Sequence, residues 1–249
     1  MTLATKVQET NIRCGDCPIR HRAVCAYAGP VELVTLDAIK SYHTYQAGET
    51  IAWAGERIES IGSVVTGVAT ISRTLPDGRR QMVGLLLPSD FVGRPGRDTT
   101  PYDVVATNEV VMCQFRKKDF EELVNSTPKV EKRLLEMTLD ELDSAREWML
   151  LLGRKTAREK IASLLAIIAR RDATLGQKDV IDGLQFALPL TREAMADYLG
   201  LTIETVSRQI SALKKEGIID LVDSRHVRVP DFASLLDEAG DDSDGGMLY

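Results

Sequence analysis

The stretch Leu188–Val229, LPLTREAMADYLGLTIETVSRQISALKKEGIIDLVDSRHVRV, decides how the C-terminal part of this 249-residue chain folds. Thr191 and Thr202 each stand just before a helical run and can accept the first free amides as N-caps. Gly200 closes the first run, and Gly217 stands where a helix C-terminal glycine belongs. Val206, Ile210 and Leu213 recur at i, i+4 and i+7, one apolar face that can pack on Ala194, Leu199 and Leu201. Two helices with a tight turn are predicted, followed by strands at Ile218–Val222 and His226–Val229 turning at Asp223–Arg225.

The opposite face of the second helix carries Glu204, Ser207, Arg208 and Ser211, and Thr202 stands at its start. This division suits a helix laid with its polar edge in a DNA major groove. Arg208 can bond guanine O6 and N7 as a fork, Glu204 can accept from cytosine N4, and Ser207 can contact either base edge or a thymine methyl. A carboxylate among phosphates is costly unless it reads a base, so Glu204 sharpens the reading. An ordinary helical hairpin with a solvated face is the plainer alternative.

Upstream, from about Gly48 to Phe115, the texture is another. Short β-rich runs such as ETIAWAGE, SIGSVVTGVATISRTL, RRQMVGLLL and EVVMCQF are broken by glycines at 48, 55, 62, 67, 78, 84 and 93. This spacing predicts a small barrel or double-sheet roll, with Pro76–Gly78 turning a hairpin. From Lys129 to Arg171 there is no proline and one glycine, Gly153, the composition of long helices. There Leu135, Leu142, Ala145, Met149 and Leu152 follow heptad-like spacing. They form a dimer seam or a face packed on the chain's own roll. DATLGQKDVIDGLQF, residues 172–186, reads as a linker or irregular connection.

The sequence CGDCPIRHRAVC, Cys14–Cys25, holds three of the four cysteines, and Cys113 is the fourth. Four thiolates suit soft metal centres. The C-x2-C-x7-C plus one spacing admits an iron–sulfur cluster and a structural zinc ion equally, ahead of thiol redox chemistry. Cys113 alternates with Val111 and Phe115, which also reads as a buried structural cysteine.

Roll, long helix, helix-turn-helix and wing in this order resemble the Crp/Fnr transcription regulators over about residues 12–230. The segments LTREAMADYLGLTIETVSRQISALKKEGII and MLLLGRKTAREKIASLL carry the likeness. The fold it implies is α+β: an N-terminal double-sheet β-roll of cupin or jelly-roll type, a long dimerisation helix and a C-terminal winged helix-turn-helix. The corresponding divisions are a cysteine-bearing arm at 1–30, the roll at 31–127, dimerisation and linker helices at 128–171, the DNA-binding domain at 172–232 and an acidic tail at 233–249.

The resemblance further implies that E-x-x-S-R, here Glu204, Ser207 and Arg208, reads a TTGAT-type half-site of a palindromic operator. It implies that Cys14, Cys17, Cys25 and Cys113 ligate an oxygen-labile [4Fe–4S] cluster. The seven residues between Cys17 and Cys25 resemble the FnrL-type branch, and Arg13, Arg20, His21 and Arg22 could offset the cluster's negative charge. It implies a homodimer that activates transcription through RNA polymerase, the hairpin tip Pro76–Arg79 being a candidate contact. A cyclic-nucleotide site is not expected, because Arg94 follows Gly93 where a glutamate would be and no Arg-Ser pair follows.

Composition narrows the alternatives. The net charge of −6 looks unfavourable for nucleic acid, but six acids lie in Asp231–Tyr249, leaving 31 basic and 31 acidic residues over 1–230. A DNA footprint is a local matter. No stretch approaches ~20 apolar residues, and MTLATKVQETNIR lacks the apolar core of a secretory signal. A cytoplasmic setting with reduced thiols is therefore expected. C-x-x-C without an alternating β/α pattern argues against a thiol oxidoreductase, and no enzyme is expected.

Overall fold

The computed structural model describes residues 12–178, 182–223 and 225–240. It divides into two units, residues 1–136 and 137–249. Residues 1–11 of the expected arm and 241–249 of the expected acidic tail lie outside the described residues.

In the first unit a 3-10 turn, Cys14–Asp16, leads through further turns to helix α1, Pro30–Ile39. Eight strands follow: β1 Lys40–Tyr45, β2 Thr50–Ala52, β3 Ser60–Thr66, β4 Ala69–Thr74, β5 Arg80–Leu86, β6 Phe91–Val92, β7 Asp103–Ala106 and β8 Val110–Arg116. They form two four-stranded antiparallel sheets, β1-β8-β3-β6 and β2-β7-β4-β5. Val64, Val92, Val110 and Met112 from one sheet pack with Ala69, Leu86, Val104 and Ala106 from the other. This is the expected double-sheet roll, and period-2 alternation is why these residues share one inner layer. The hairpin forms as read, with β4 paired to β5 and the Leu75 amide bonded to the Arg79 carbonyl at 2.8 Å. Helix α2, Lys117–Ser126, follows the roll.

Gly62 in β3 permits a contact that no other residue would. A β-carbon there would stand 2.0 Å from the Cys113 carbonyl oxygen and 2.8 Å from Gln114 Cα. Any side chain at 62 would therefore push β8 away from β3 at Cys113.

Helix α3, Pro128–Arg154, begins in the first unit and continues into the second. The expected long helical region is broken after it: Thr156 caps α4, Ala157–Leu175, in a reciprocal capping box with Glu159. The second unit adds β9 Leu184–Ala187, α5 Arg192–Leu199, α6 Ile203–Lys215, β10 Asp220–Leu221, β11 His226–Val229 and α7 Phe232–Ala239. Thr191 and Thr202 cap α5 and α6, and Gly200 takes the left-handed conformation at φ 64°, as the sequence demanded.

Three features differ from expectation. Leu184–Gln185–Phe186 and Ala187, read as the end of a linker and its flank, form a strand that pairs antiparallel with β11, so the wing has three strands. Residues 232–239, expected at the start of an acidic tail, form a helix that packs on α4 and buries Phe232, Leu235, Leu236 and Ala239. The buried face of α5 is Met195, Ala196, Tyr198 and Leu199, while Ala194 is only half-buried.

Candidate functional site

The arm is tightly wound around a small apolar plug. Ile19, Ala23, Val24 and Ala28 are buried, and the Ala23 amide bonds the Ile19 carbonyl at 2.9 Å. Two contacts pin the arm to the roll. The Cys14 amide donates to Asp37 Oδ1 at 2.8 Å, and the Tyr42 hydroxyl donates to the Ile12 carbonyl at 3.4 Å. Arg133, on the first turns of α3, donates to the Arg22 carbonyl at 2.6 Å, and Lys132 and Arg133 stand over the Tyr27 ring.

Cys113 lies in the middle of β8, its Cα paired with Tyr42 on β1 and Ser63 on β3. Directly paired residues point to the same face. All four cysteines are free thiols; Cys14 and Cys113 are buried, Cys17 and Cys25 half-buried. Burial is the first cause that pushes the Cys14 thiol up to about 12 and the Cys25 thiol up to about 11. Cys17 and Cys113 are raised chiefly by burial as well. The other thiols add to the rise: Cys25 acts on Cys14, Cys17 acts on Cys25, and Cys14, Cys17 and Cys25 all act on Cys113. The three arm cysteines are thus near enough to Cys113 on β8 to act on its charge.

This donor set fits a thiolate-ligated group. Ser63 Oγ, beside Cys113, and Arg20 Nε are buried without a hydrogen-bond partner among the described residues. Arg20 also favours the charged form of Cys25. Unpartnered donors around buried thiols suit a group bearing sulfur acceptors and negative charge. Among the described residues no three Cys, His, Asp or Glu side chains stand close enough to hold a single metal ion. Of the four basic residues singled out around the motif, Arg13 and His21 are exposed.

Sequence reading missed Lys40. Its side chain is only 2% exposed, it pairs with Asp37, and it favours the thiolate forms of Cys14, Cys17 and Cys113. The signal was its place at the start of β1, but burial of a lysine is a tertiary fact.

In the second unit, Val206, Ile210 and Leu213 bury the inner face of α6. Glu204, Ser207, Arg208 and Ser211 are exposed together on the outer face, as predicted. Arg208 makes no ion pair among the described residues, and Ser207 offers its hydroxyl freely. Glu204 is held below the usual carboxylate range by its own amide at the helix N-terminus and by the Thr202 hydroxyl. Thr202 is engaged in capping, accepting the Thr205 amide at 3.2 Å, and Ser211 donates to the Ser207 carbonyl at 2.8 Å. Both hydroxyls therefore have structural work in addition to any base contact.

On α3, Leu135 is 59%, Leu142 45% and Met149 68% exposed, while Ala145 and Leu152 are half-buried. Leu139 and Leu150, which the heptad count left out, join the exposed apolar surface at 52% and 50%. Trp148 stacks on Tyr198 of α5 with ring centroids 3.8 Å apart, which couples this part of α3 to the first helix of the pair.

Fold and helix pair together define a DNA-binding regulator, and comparison with known proteins agrees. The family description "Crp-like helix-turn-helix domain" matches residues 159–238, and "Cyclic nucleotide-binding domain" matches 42–127. The second description names the roll and not a ligand of this chain. The chain belongs to the Crp/Fnr family of transcription regulators. It is 68% identical over 235 residues to the transcriptional activator protein FnrL of Cereibacter sphaeroides, covering 94% of this chain and 95% of that one. It is 37% identical over 209 residues to the nitrogen fixation regulation protein FixK of Bradyrhizobium diazoefficiens, covering 84% and 86%. The solved structure of FixK2 from Bradyrhizobium japonicum superposes with a TM-score of 0.71 at 32% identity, over 80% of this chain and 96% of that chain. Among the described residues no helix is long and apolar enough to cross a membrane.

Proposed function

We propose that this regulator is an oxygen-responsive activator of anaerobic gene expression, working in the reducing cytoplasm as a homodimer. Cys14, Cys17, Cys25 and Cys113 would hold a [4Fe–4S] cluster. One observation carries the reading: four thiols from the arm and from β8, two buried and two half-buried, act on one another beside unpartnered donors. FnrL-type relatives support it by their names as transcriptional activators. When bound, such a cluster supplies iron–thiolate bonds that dioxygen destroys.

The chain's own residues turn this into a switch. Cys14, Cys17 and Cys25 tie the arm to β8 through Cys113. Arg133 joins the arm to α3, so release of the arm disturbs the helix that carries the dimer face. Leu135, Leu142, Ala145, Met149 and Leu152, extended by Leu139 and Leu150, are that face. Two α6 helices held one duplex turn apart bind a palindrome far better than one does. RNA polymerase is the further partner, and the exposed tip Pro76–Arg79 is its candidate contact. Purified anaerobically, the protein is expected to be brown and to contain iron and sulfide; a colourless, zinc-loaded protein would refute the cluster.

Base reading is assigned to Glu204, Ser207 and Arg208, with Thr202 and Ser211 at the margins. Arg208→Ala is expected to cost about 1–3 kcal/mol per half-site and to relax preference at the guanine of a TTGAT-type site. Glu204→Ala should relax preference at a cytosine. Binding of all single-base operator variants, compared at one salt concentration, checks this. Loss spread evenly over every variant would mark phosphate contacts instead.

A further inference from the structure

Lysine side chains are seldom covered unless their charge has a task or a partner. Lys40 opens β1 directly after α1, and its side chain is 2% exposed. Its Cα partner on β8 is Phe115, two residues along the strand from Cys113, and its ammonium stands 5.9 Å from the centroid of the Tyr42 ring. Tyr42 is in turn the cross-strand partner of Cys113. Lys40 bonds Asp37 Oδ1, the oxygen that also accepts the Cys14 amide. The ammonium is thus fixed on the Tyr42 side of β1 by a carboxylate that also anchors the arm at Cys14.

The two charges of this pair do not cancel at the thiols. Asp37 is 38% exposed, so water screens it more than it screens the covered lysine. Lys40 favours the thiolate at Cys14, Cys17 and Cys113, and Asp37 opposes it at Cys14. Arg20 acts in the same sense on Cys25. Lys40 and Tyr42 alternate onto the same face of β1, the face on which Tyr42 pairs with Cys113, so the covered ammonium is the less screened charge beside that thiol.

We propose that Lys40 sets the midpoint potential and the lifetime in air of the cluster held by Cys14, Cys17, Cys25 and Cys113, with Asp37 as its counter-charge. The inference rests on the cluster reading above. Four thiolates make a cluster site anionic, and a fixed cation in a poorly solvated surrounding favours the more negative of any two oxidation states. Lys40 therefore raises the potential and opposes electron loss to dioxygen. It acts on ligands and is a tuning residue, not a ligand.

The test uses the full chain, purified anaerobically as wild type, Lys40→Met, Lys40→Arg and Asp37→Asn, with iron and sulfide measured first. Potentials come from redox titration followed by absorbance and electron paramagnetic resonance, and lifetimes from the loss of visible absorbance in air-saturated buffer. Lys40→Met is expected to lower the potential by about 60 mV, a tenfold change for a one-electron couple, and to bleach several-fold faster. Lys40→Arg should stay near wild type. Asp37→Asn, which keeps the acceptor for the Cys14 amide, should shift the potential upwards. Opposite signs for the two variants cannot come from a loosened arm. A fully loaded Lys40→Met protein with an unchanged potential overturns the proposal, as do shifts of the same sign in both variants. Should Lys40→Met purify without iron, Asp37→Asn decides: a raised potential supports the proposal, and an unchanged or lowered one overturns it. Wild-type protein without iron and sulfide would refute the cluster reading itself.

Discussion

Cys113→Ser is expected to purify anaerobically as a folded, colourless protein whose iron and sulfide are near background. The substitution keeps the shape of the side chain in the middle of β8, between Tyr42 and Ser63. Exchanging a buried thiol for a hydroxyl costs about 1–3 kcal/mol when no partner is present, a loss the two-sheet core can carry. The donor chemistry changes much more. A serine hydroxyl is a harder donor that does not release its proton near neutral pH, and an iron–sulfur centre selects soft thiolates. With Cys113 gone, the three arm cysteines have no thiolate on the roll to close against. Circular dichroism should match wild type while metal and sulfide are lost. A full iron and sulfide load in Cys113→Ser would break the four-ligand assignment.

Leu142→Glu is expected to be monomeric and to lose operator binding by about 10²–10⁴-fold even with its cluster intact. Leu142 is 45% exposed in the single chain, so glutamate there does not disturb the protomer's own core. The contrast is Leu151, which is 1% exposed on the covered side of the same helix. In a parallel two-fold dimer each seam residue near the axis faces its own copy. Two carboxylates would then meet in a desolvated contact without a cation, which is strongly unfavourable. Sedimentation velocity at micromolar concentration, with iron content and thermal melting alongside, separates dissociation from unfolding. A Leu142→Glu protein that sediments as a dimer would place the dimer surface elsewhere.

Local chemistry made the helix pair legible. Threonine caps and glycine stops act within a turn of where they stand, and the apolar and polar faces of α6 repeat at helical spacing. The roll was legible from glycine-punctuated alternation. Strand β9 was not, because Leu184–Ala187 gains its partners only from β11, some forty residues later. Helix α7 was obscured by its acids, although Phe232, Leu235, Leu236 and Ala239 already stood at i, i+3, i+4 and i+7. The four cysteines read as candidate metal ligands, but spacing left zinc and iron–sulfur level, and only the family resemblance favoured the cluster. The places of Lys40, Ser63 and Gly62 around Cys113 were not legible in the sequence. What matters at each is the cross-strand neighbourhood of Cys113, and register is set by the whole sheet.

In the proposed switch the metal state of the four cysteines governs DNA binding through the α3 face. Its most direct test follows one anaerobic sample as air is admitted, recording visible absorbance, sedimentation and affinity for a palindromic TTGAT-type operator together. The brown absorbance, the dimer and tight operator binding are expected to decline in step, and Leu142→Glu to lose its absorbance in air while never binding tightly. Undiminished operator affinity in fully bleached wild-type protein would contradict it.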